Sequence, residues 1–174
     1  LEELATEDVQ IIVTYPNNDA GGHQIIQMLE ELNARQVKNI QVHQSLGRNM
    51  YHGVLGLAVN KQLRVACVGN SSSGIKETPA FNCPTVNIGS RQEGRLRGDN
   101  VIDVNYSEKK IKRAINKCLF DEKFRLQCQQ VVNPYWLGNA GSKIASVLAD
   151  TPLDDTLLRK KMTLQGVVHD GWYK

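Results

Sequence analysis

At 174 residues the chain is long enough for one domain with a core of its own, and 41% hydrophobic with 22% charged residues is a globular composition. A net charge of +3 is too slight to argue for nucleic-acid binding. The longest apolar runs, such as residues 11–13, fall far short of the ~20 residues that cross a bilayer, so no membrane partner is expected.

The chain opens Leu1-Glu2-Glu3-Leu4, without Met and without the features of a secretory signal, as expected of a processed chain or part of a longer one. Residues 9–15 predict a first strand. Pro16-Asn17-Asn18-Asp19-Ala20-Gly21-Gly22 follows and runs into a helix over 23–36, marked by Ile25, Ile26, Leu29 and Leu32. Asn and Asp either cap that helix or bind a ligand, and the two glycines permit positive φ or close approach. Residues 40–43 predict a second strand. A helix over 49–60 rests on Tyr51, Val54, Leu55, Ala58 and Val59, weakened by Gly53 and Gly56.

A third strand, 65–68, leads to Gly69-Asn70-Ser71-Ser72-Ser73-Gly74 and a short helix over 74–82, made irregular by Pro79. Free N–H groups and hydroxyls at a helix start form a phosphate cradle, although serines also cap helices without any ligand. The segment is neither G-x-x-x-x-G-K-[ST] nor G-x-G-x-x-G. Glu77, one turn on, either favours the helix dipole or accepts two hydrogen bonds from a vicinal diol such as a ribose. A fourth strand, 85–88, enters a loop with Arg91, Arg95 and Arg97, which suits an anion or is a solvated connection.

A fifth strand, 101–104, precedes Ser107 as N-cap of an amphipathic helix over 108–120. Lys109, Lys110, Lys112 and Arg113 are the solvated face of that helix, and Ile111, Ala114, Ile115, Cys118 and Leu119 its apolar face. Helices over 139–149 and 153–161, broken at Pro152, close the chain. The alternation predicts a Rossmann-like α/β fold, a parallel sheet with helices on both faces and a ligand site beyond the carboxyl ends of the strands.

The three loops together predict a site for a phosphorylated, ribose-bearing ligand. No nucleophile–base pair stands out. His23, His43, His52 and His169 lack metal-ligand spacing and are read as structural or exposed. The four cysteines are scattered, with no C-x-x-C pair, which fits a reducing cytoplasm better than a disulfide framework or zinc site.

Gly69-Asn-Ser-Ser-Ser-Gly-Ile-Lys-Glu77, residues 80–95 and Asn100-Val-Ile-Asp-Val104 closely resemble the hydrolysing UDP-N-acetylglucosamine 2-epimerases of sialic-acid and legionaminic-acid synthesis. Tyr15-Pro-Asn-Asn-Asp-Ala-Gly21, Ser45-Leu-Gly-Arg48, Asn133-Pro-Tyr135 and Gly138-Asn-Ala140 extend the resemblance in consistent order from about residue 9 to 149. It implies a glycosyltransferase-B-like enzyme with its active site between two Rossmann-like domains. Residues 1–150 would be the carboxyl-terminal, nucleotide-binding domain without its first strand, and 151–174 a helical tail.

The family reaction eliminates UDP through a 2-acetamidoglucal and then adds water, releasing N-acetylmannosamine or a related 2-epimeric sugar. By the same resemblance Asn17 lies beside the uridine or diphosphate, Leu46 near the uracil, and Ser71 and Ser72 on the diphosphate. Glu77 binds the ribose hydroxyls and Arg91 approaches the nucleotide. The catalytic acids and bases are implied upstream of Leu1, so the chain alone is expected to be inactive. The implied partners are a UDP-sugar, the preceding domain of the same enzyme and a second copy in a homodimer; no metal, nicotinamide or other cofactor is implied.

Asn82 departs from the pattern, standing where a Gly is usual before Cys83-Pro84, and Trp136-Leu137 replaces a Gly-Asp. His23 and Gln27 stand where feedback-regulated members carry basic residues, which argues against control by a CMP-sugar. The alternatives are the donor domain of a glycosyltransferase, which the serine-loop and Arg-Gln-x-Gly-Arg motifs disfavour, and a stand-alone nucleotide-sugar-binding module.

Overall fold

The computed structural model describes residues 9–17, 19–136, 138–158, 168–169 and 172–173. The chain divides into two units, Leu1–Tyr135 and Trp136–Lys174.

In the first unit, β1 (Ile11–Thr14) pairs in parallel with β2 (Ile40–His43), Ile11 opposite Ile40. The crossover between them is α1 (Gly22–Ala34), whose Leu29 and Leu32 are buried at helical spacing. A second parallel sheet has the order β3-β4-β5, formed by Cys67–Gly69, Thr85–Ile88 and Val101–Val104. Its middle strand is covered on both faces, with Thr85, Val86 and Asn87 all buried. This is the pattern a continuous apolar run predicts for a strand inside a parallel sheet.

Neighbouring residues leading into β3 separate the two faces of that sheet. Ala66 joins a cluster of Val86, Ala114, Ile115, Cys118, Phe124 and Cys128. Val65 and Cys67 join Leu55, Ala58, Cys83, Tyr51 and Phe81. The first cluster is capped by α4 (Glu108–Phe120) and α5 (Glu122–Gln129), the second by α2 (Gly47–Gly56) and the 3-10 turn Leu57–Val59. The basic run of α4 is a solvated face, as expected, with Lys112 paired to Glu108 one turn earlier at 3.1 Å.

Several boundaries differ from the sequence reading. Pairing in β3 starts two residues late, because the first ladder bond runs from Cys67 N–H to the Pro84 carbonyl. The helix expected over 74–82 is two pieces, α3 (Ser73–Lys76) and a 3-10 turn at Thr78–Phe81, since Pro79 cannot donate to a continuing α-helix. Ser107 stands at the N-cap of α4, yet its side chain makes no capping bond there. Asp121 does cap α5, accepting from Phe124 N–H at 3.0 Å. Asn82 has φ 53°, a left-handed conformation, so the departure from the usual Gly falls on a position that Asn tolerates better than most residues.

The second unit holds α6 (Ala140–Asp150), α7 (Asp155–Leu158) and a two-residue antiparallel pairing of Val168–His169 with Trp172–Tyr173, β6 and β7. The tail is therefore not helical throughout. The last residues of the helix expected over 153–161 lie outside the described residues. By contacts α6 groups with this tail, whereas the sequence reading put the boundary at residue 150.

Candidate functional site

The loops after β1 and β2 meet α2 and α3 around a cleft of about 690 Å³. Thr14 ends β1, Tyr15, Pro16 and Asn17 come from the loop after it, Gln44, Ser45 and Leu46 from the loop after β2, Gly47, Arg48, Tyr51 and His52 from α2, and Ser73 and Glu77 from the α3 segment. This is the carboxyl end of the strands, where open parallel sheets bind ligands.

The first loop depends on its glycines in two different ways. Gly21 adopts φ +84°, and a Cβ on Gly22 would sit 3.0 Å from the Asn17 carbonyl. The chain therefore turns tightly enough to hold Asn17 at the cleft while α1 starts directly behind it.

Glu77 is held from below. Thr78, next in sequence, is fully buried, and its hydroxyl donates to the Gly74 carbonyl at 2.7 Å. The same oxygen accepts from Thr85 Oγ1 at 2.9 Å and from Asn100 Nδ2 at 3.1 Å. Asn100 also donates to the Cys83 carbonyl at 2.7 Å. This network ties α3 to β4 and fixes the backbone that carries Glu77. The Glu77 side chain lies 2.7 Å from His52 Nε2.

The serine loop is organised differently from a simple helix-terminus cradle. With only four residues, α3 has little dipole to offer. Gly74 N–H is bonded to the Ser71 carbonyl at 3.2 Å and Ser73 N–H to Ser71 Oγ at 3.4 Å, so two of the expected donors are turned inward. What faces outward is hydroxyls. Tyr51 donates to Ser73 Oγ at 2.9 Å, and Ser73 in turn donates to Ser71 Oγ at 3.1 Å. Burial, with Cys67 and Glu77 beside it, pushes the Tyr51 phenol above the usual tyrosine range, which favours its protonated, hydrogen-bond-donating form.

Arg91 joins two loops rather than standing free. Its guanidinium meets Asp19 at 2.8 Å and donates to the Asn70 carbonyl at 3.1 Å, tying the first loop to the serine loop. Gln92, buried beside it, donates to the same carbonyl at 2.8 Å. Arg97 is committed to Asp103 and the Gln92 carbonyl, so the arginine-rich loop is partly self-bonded. Gly89, where that loop begins, adopts φ +78°, a left-handed conformation that favours glycine.

Of the six site residues expected from sequence, Asn17, Leu46 and Glu77 line the cleft. Ser71 reaches it through Ser73, and Arg91 is held against both neighbouring loops. Ser72 is half-buried just before α3, where its carbonyl accepts from Lys76 N–H at 2.9 Å. Sequence reasoning missed Tyr51, read as one of the residues that mark a helix over 49–60, and His52, read as structural or exposed. Each acts on a partner more than 20 residues away, which no local spacing signals. Among the described residues, no group of three or more His, Cys, Asp or Glu side chains is arranged to hold a metal ion, and no helix is long and apolar enough to cross a membrane.

A cleft at the carboxyl ends of parallel strands, lined by hydroxyls, Arg48, His52 and one carboxylate, sits in an α/β domain of the Rossmann-like class. Residues 1–149 match the family described as UDP-N-acetylglucosamine 2-epimerase. The chain is 34% identical over 90% of its length to the UDP-N,N'-diacetylbacillosamine 2-epimerase (hydrolyzing) of Legionella pneumophila, of which it covers 38%. It is 36% identical over 59% of its length to the GDP/UDP-N,N'-diacetylbacillosamine 2-epimerase (hydrolyzing) of Campylobacter jejuni, covering 26% of that protein. To the UDP-N-acetylglucosamine 2-epimerase of Neisseria meningitidis it is 34% identical over 66% of its length, covering 28%. The chain thus spans less than two fifths of these relatives. It belongs to the UDP-N-acetylglucosamine 2-epimerase family.

Proposed function

We propose that this chain is the UDP-sugar-binding, carboxyl-terminal part of a hydrolysing UDP-sugar 2-epimerase acting on UDP-N-acetylglucosamine or a related 2-acetamido sugar. The observation that carries the reading is the convergence of Asn17, Leu46 and Glu77, from three segments far apart in sequence, on one cleft. Glu77 accepts the ribose hydroxyls, half-buried Leu46 offers an apolar surface to the uracil, and Ser71 and Ser72 donate to the diphosphate. Donors that hold the departing diphosphate stabilise the charge developing on it as the bond to the sugar breaks, so they lower the barrier without exchanging protons. Asn17 and Arg91 hold the nucleotide side of the cleft, with Arg91 bracing the loops.

Strand order supports the partial-domain reading. A doubly wound sheet runs 3-2-1-4-5-6, with the first strand between two groups that wind in opposite directions. The pairs β2-β1 and β3-β4-β5 fit strands 3-2 and 4-5-6 of that order, and among the described residues β1 and β3 each pair on one edge only. A first strand contributed by preceding sequence would join them into one sheet, and a preceding domain would supply the acids and bases for proton transfer at the sugar C2. The released 2-epimeric sugar fits sialic-acid-type synthesis in the cytoplasm, and the four free cysteines, three of them buried, agree with a reducing compartment. Calorimetric titration with UDP tests the reading: binding is expected, and Glu77→Gln should weaken it without lowering the melting temperature. No heat of binding, or an unchanged affinity in the variant, would overturn it.

A further inference from the structure

We propose that His52 is a positioning residue that sets the selectivity of the cleft for a ribose over a deoxyribose, by fixing the carboxylate of Glu77. This rests on the reading of Glu77 as the ribose-binding group.

The geometry is specific to these two side chains. His52 Nε2 lies 2.7 Å from Glu77 Oε2, and both residues line the cleft. An ionised carboxylate only accepts, so the ring nitrogen donates, and an imidazole with its hydrogen on Nε2 does so whether neutral or protonated. The ring is itself seated against Phe81, with centroids 5.1 Å apart at 45°. Its position is thus set by packing before any ligand arrives.

The backbone beneath Glu77 is already tied down, because the fully buried Thr78 hydroxyl has three partners. What remains free is the rotation of the glutamate side chain, which is 43% exposed. The His52 bond removes that freedom. It occupies one of about four acceptor directions on the carboxylate, and the remaining ones stay open for a pair of adjacent hydroxyls. A carboxylate held in place loses less entropy on binding a diol than one that must first be ordered. The gain is collected only by a ligand that presents both hydroxyls, so it appears as selectivity rather than as general affinity.

The test compares UDP with 2'-deoxy-UDP on the chain and on His52→Leu, His52→Gln and Glu77→Gln, by titration calorimetry with melting temperatures measured in parallel. The wild-type chain should prefer UDP by about tenfold, the scale of a hydrogen bond to a charged group. His52→Leu should bring that preference to within about twofold while changing the affinity for 2'-deoxy-UDP little. His52→Gln, whose amide reaches with a donor in a similar place, should keep most of it. If His52→Leu lowers the melting temperature and weakens both ligands equally, the ring is only a packing element and the proposal fails. If the wild type prefers UDP and Glu77→Gln abolishes the preference but His52→Leu retains it, the proposal fails and the reading of Glu77 stands. If the wild type shows no preference at all, that reading falls and takes the proposal with it. Should His52→Leu not fold, the ring nitrogen resonances of His52 in the wild type decide. They should move more on adding UDP than on adding 2'-deoxy-UDP, and equal shifts would overturn the proposal.

Discussion

Replacing Thr78 by Val removes one oxygen and almost no volume, and it tests how the candidate site is supported. Thr78 is fully buried, and its hydroxyl makes three hydrogen bonds, to the Gly74 carbonyl and from Thr85 and Asn100. Two of the three losses are partly made good. Thr85 Oγ1 also lies 3.3 Å from the Cys83 carbonyl, and Asn100 keeps its 2.7 Å bond to that carbonyl. The Gly74 carbonyl loses its side-chain donor, and Asn100 loses one of its two acceptors. At ~1–3 kcal/mol for a buried polar group left without a partner, the net loss is about 2 kcal/mol. Thr78→Ser keeps the oxygen and should lose about 1 kcal/mol, near the value of a buried methyl group. Urea unfolding followed by circular dichroism measures both, through the midpoint at constant slope. Because Glu77 adjoins the network, UDP affinity should fall with stability in Thr78→Val. A stability change below about 0.5 kcal/mol in Thr78→Val would refute the claim that this network supports the α3 segment.

Three further outcomes follow from the same geometry. Ser71→Ala with Ser72→Ala should weaken UDP binding by roughly 1–3 kcal/mol, the range for hydrogen bonds to a charged group, as read by titration calorimetry. Stability should fall above pH 9: burial raises the Cys118 thiol from 9.0 to about 12 and Cys128 to about 11, so unfolded thiols lose protons while folded ones keep them. Each contributes a loss of roughly 1 kcal/mol by pH 10, measured as a drop in urea midpoint from pH 7.5. Finally, incubation of the chain alone with UDP-N-acetylglucosamine should release no UDP above background, because general acid–base catalysis, commonly worth ~10²–10⁴-fold, needs the acids and bases that the proposed function assigns to another domain.

How much of this was legible in the sequence follows the range of the forces involved. Strands 85–88 and 101–104 and the helix over 108–120 fall where β-branched runs and the Ala114, Ile115, Cys118 spacing put them, since burial alone decides them. The helix α5 was not predicted: only Phe124 and Cys128 of its eight residues are buried, too few to give a period. The three loops stood out by their Asn, Ser, Gly and Arg content. Their internal bonding did not, because the Arg91–Asp19 and Arg97–Asp103 pairs depend on which strands become neighbours. His52 shows this most clearly. Its sequence neighbours mark it as one more residue on a helix, and only the fold sets it against a carboxylate 25 residues away.

The central claim, that the cleft between the loops after β1 and β2 and the α3 segment binds the nucleotide, is tested most directly by titrating 15N-labelled chain with UDP and following its amide resonances. Shifts should concentrate at Asn17, Gly47, Ser71, Ser73 and Glu77, with α4 and α5 unmoved. Shifts spread over α4 and α5, or none at any of these five residues at saturating UDP, would contradict the account.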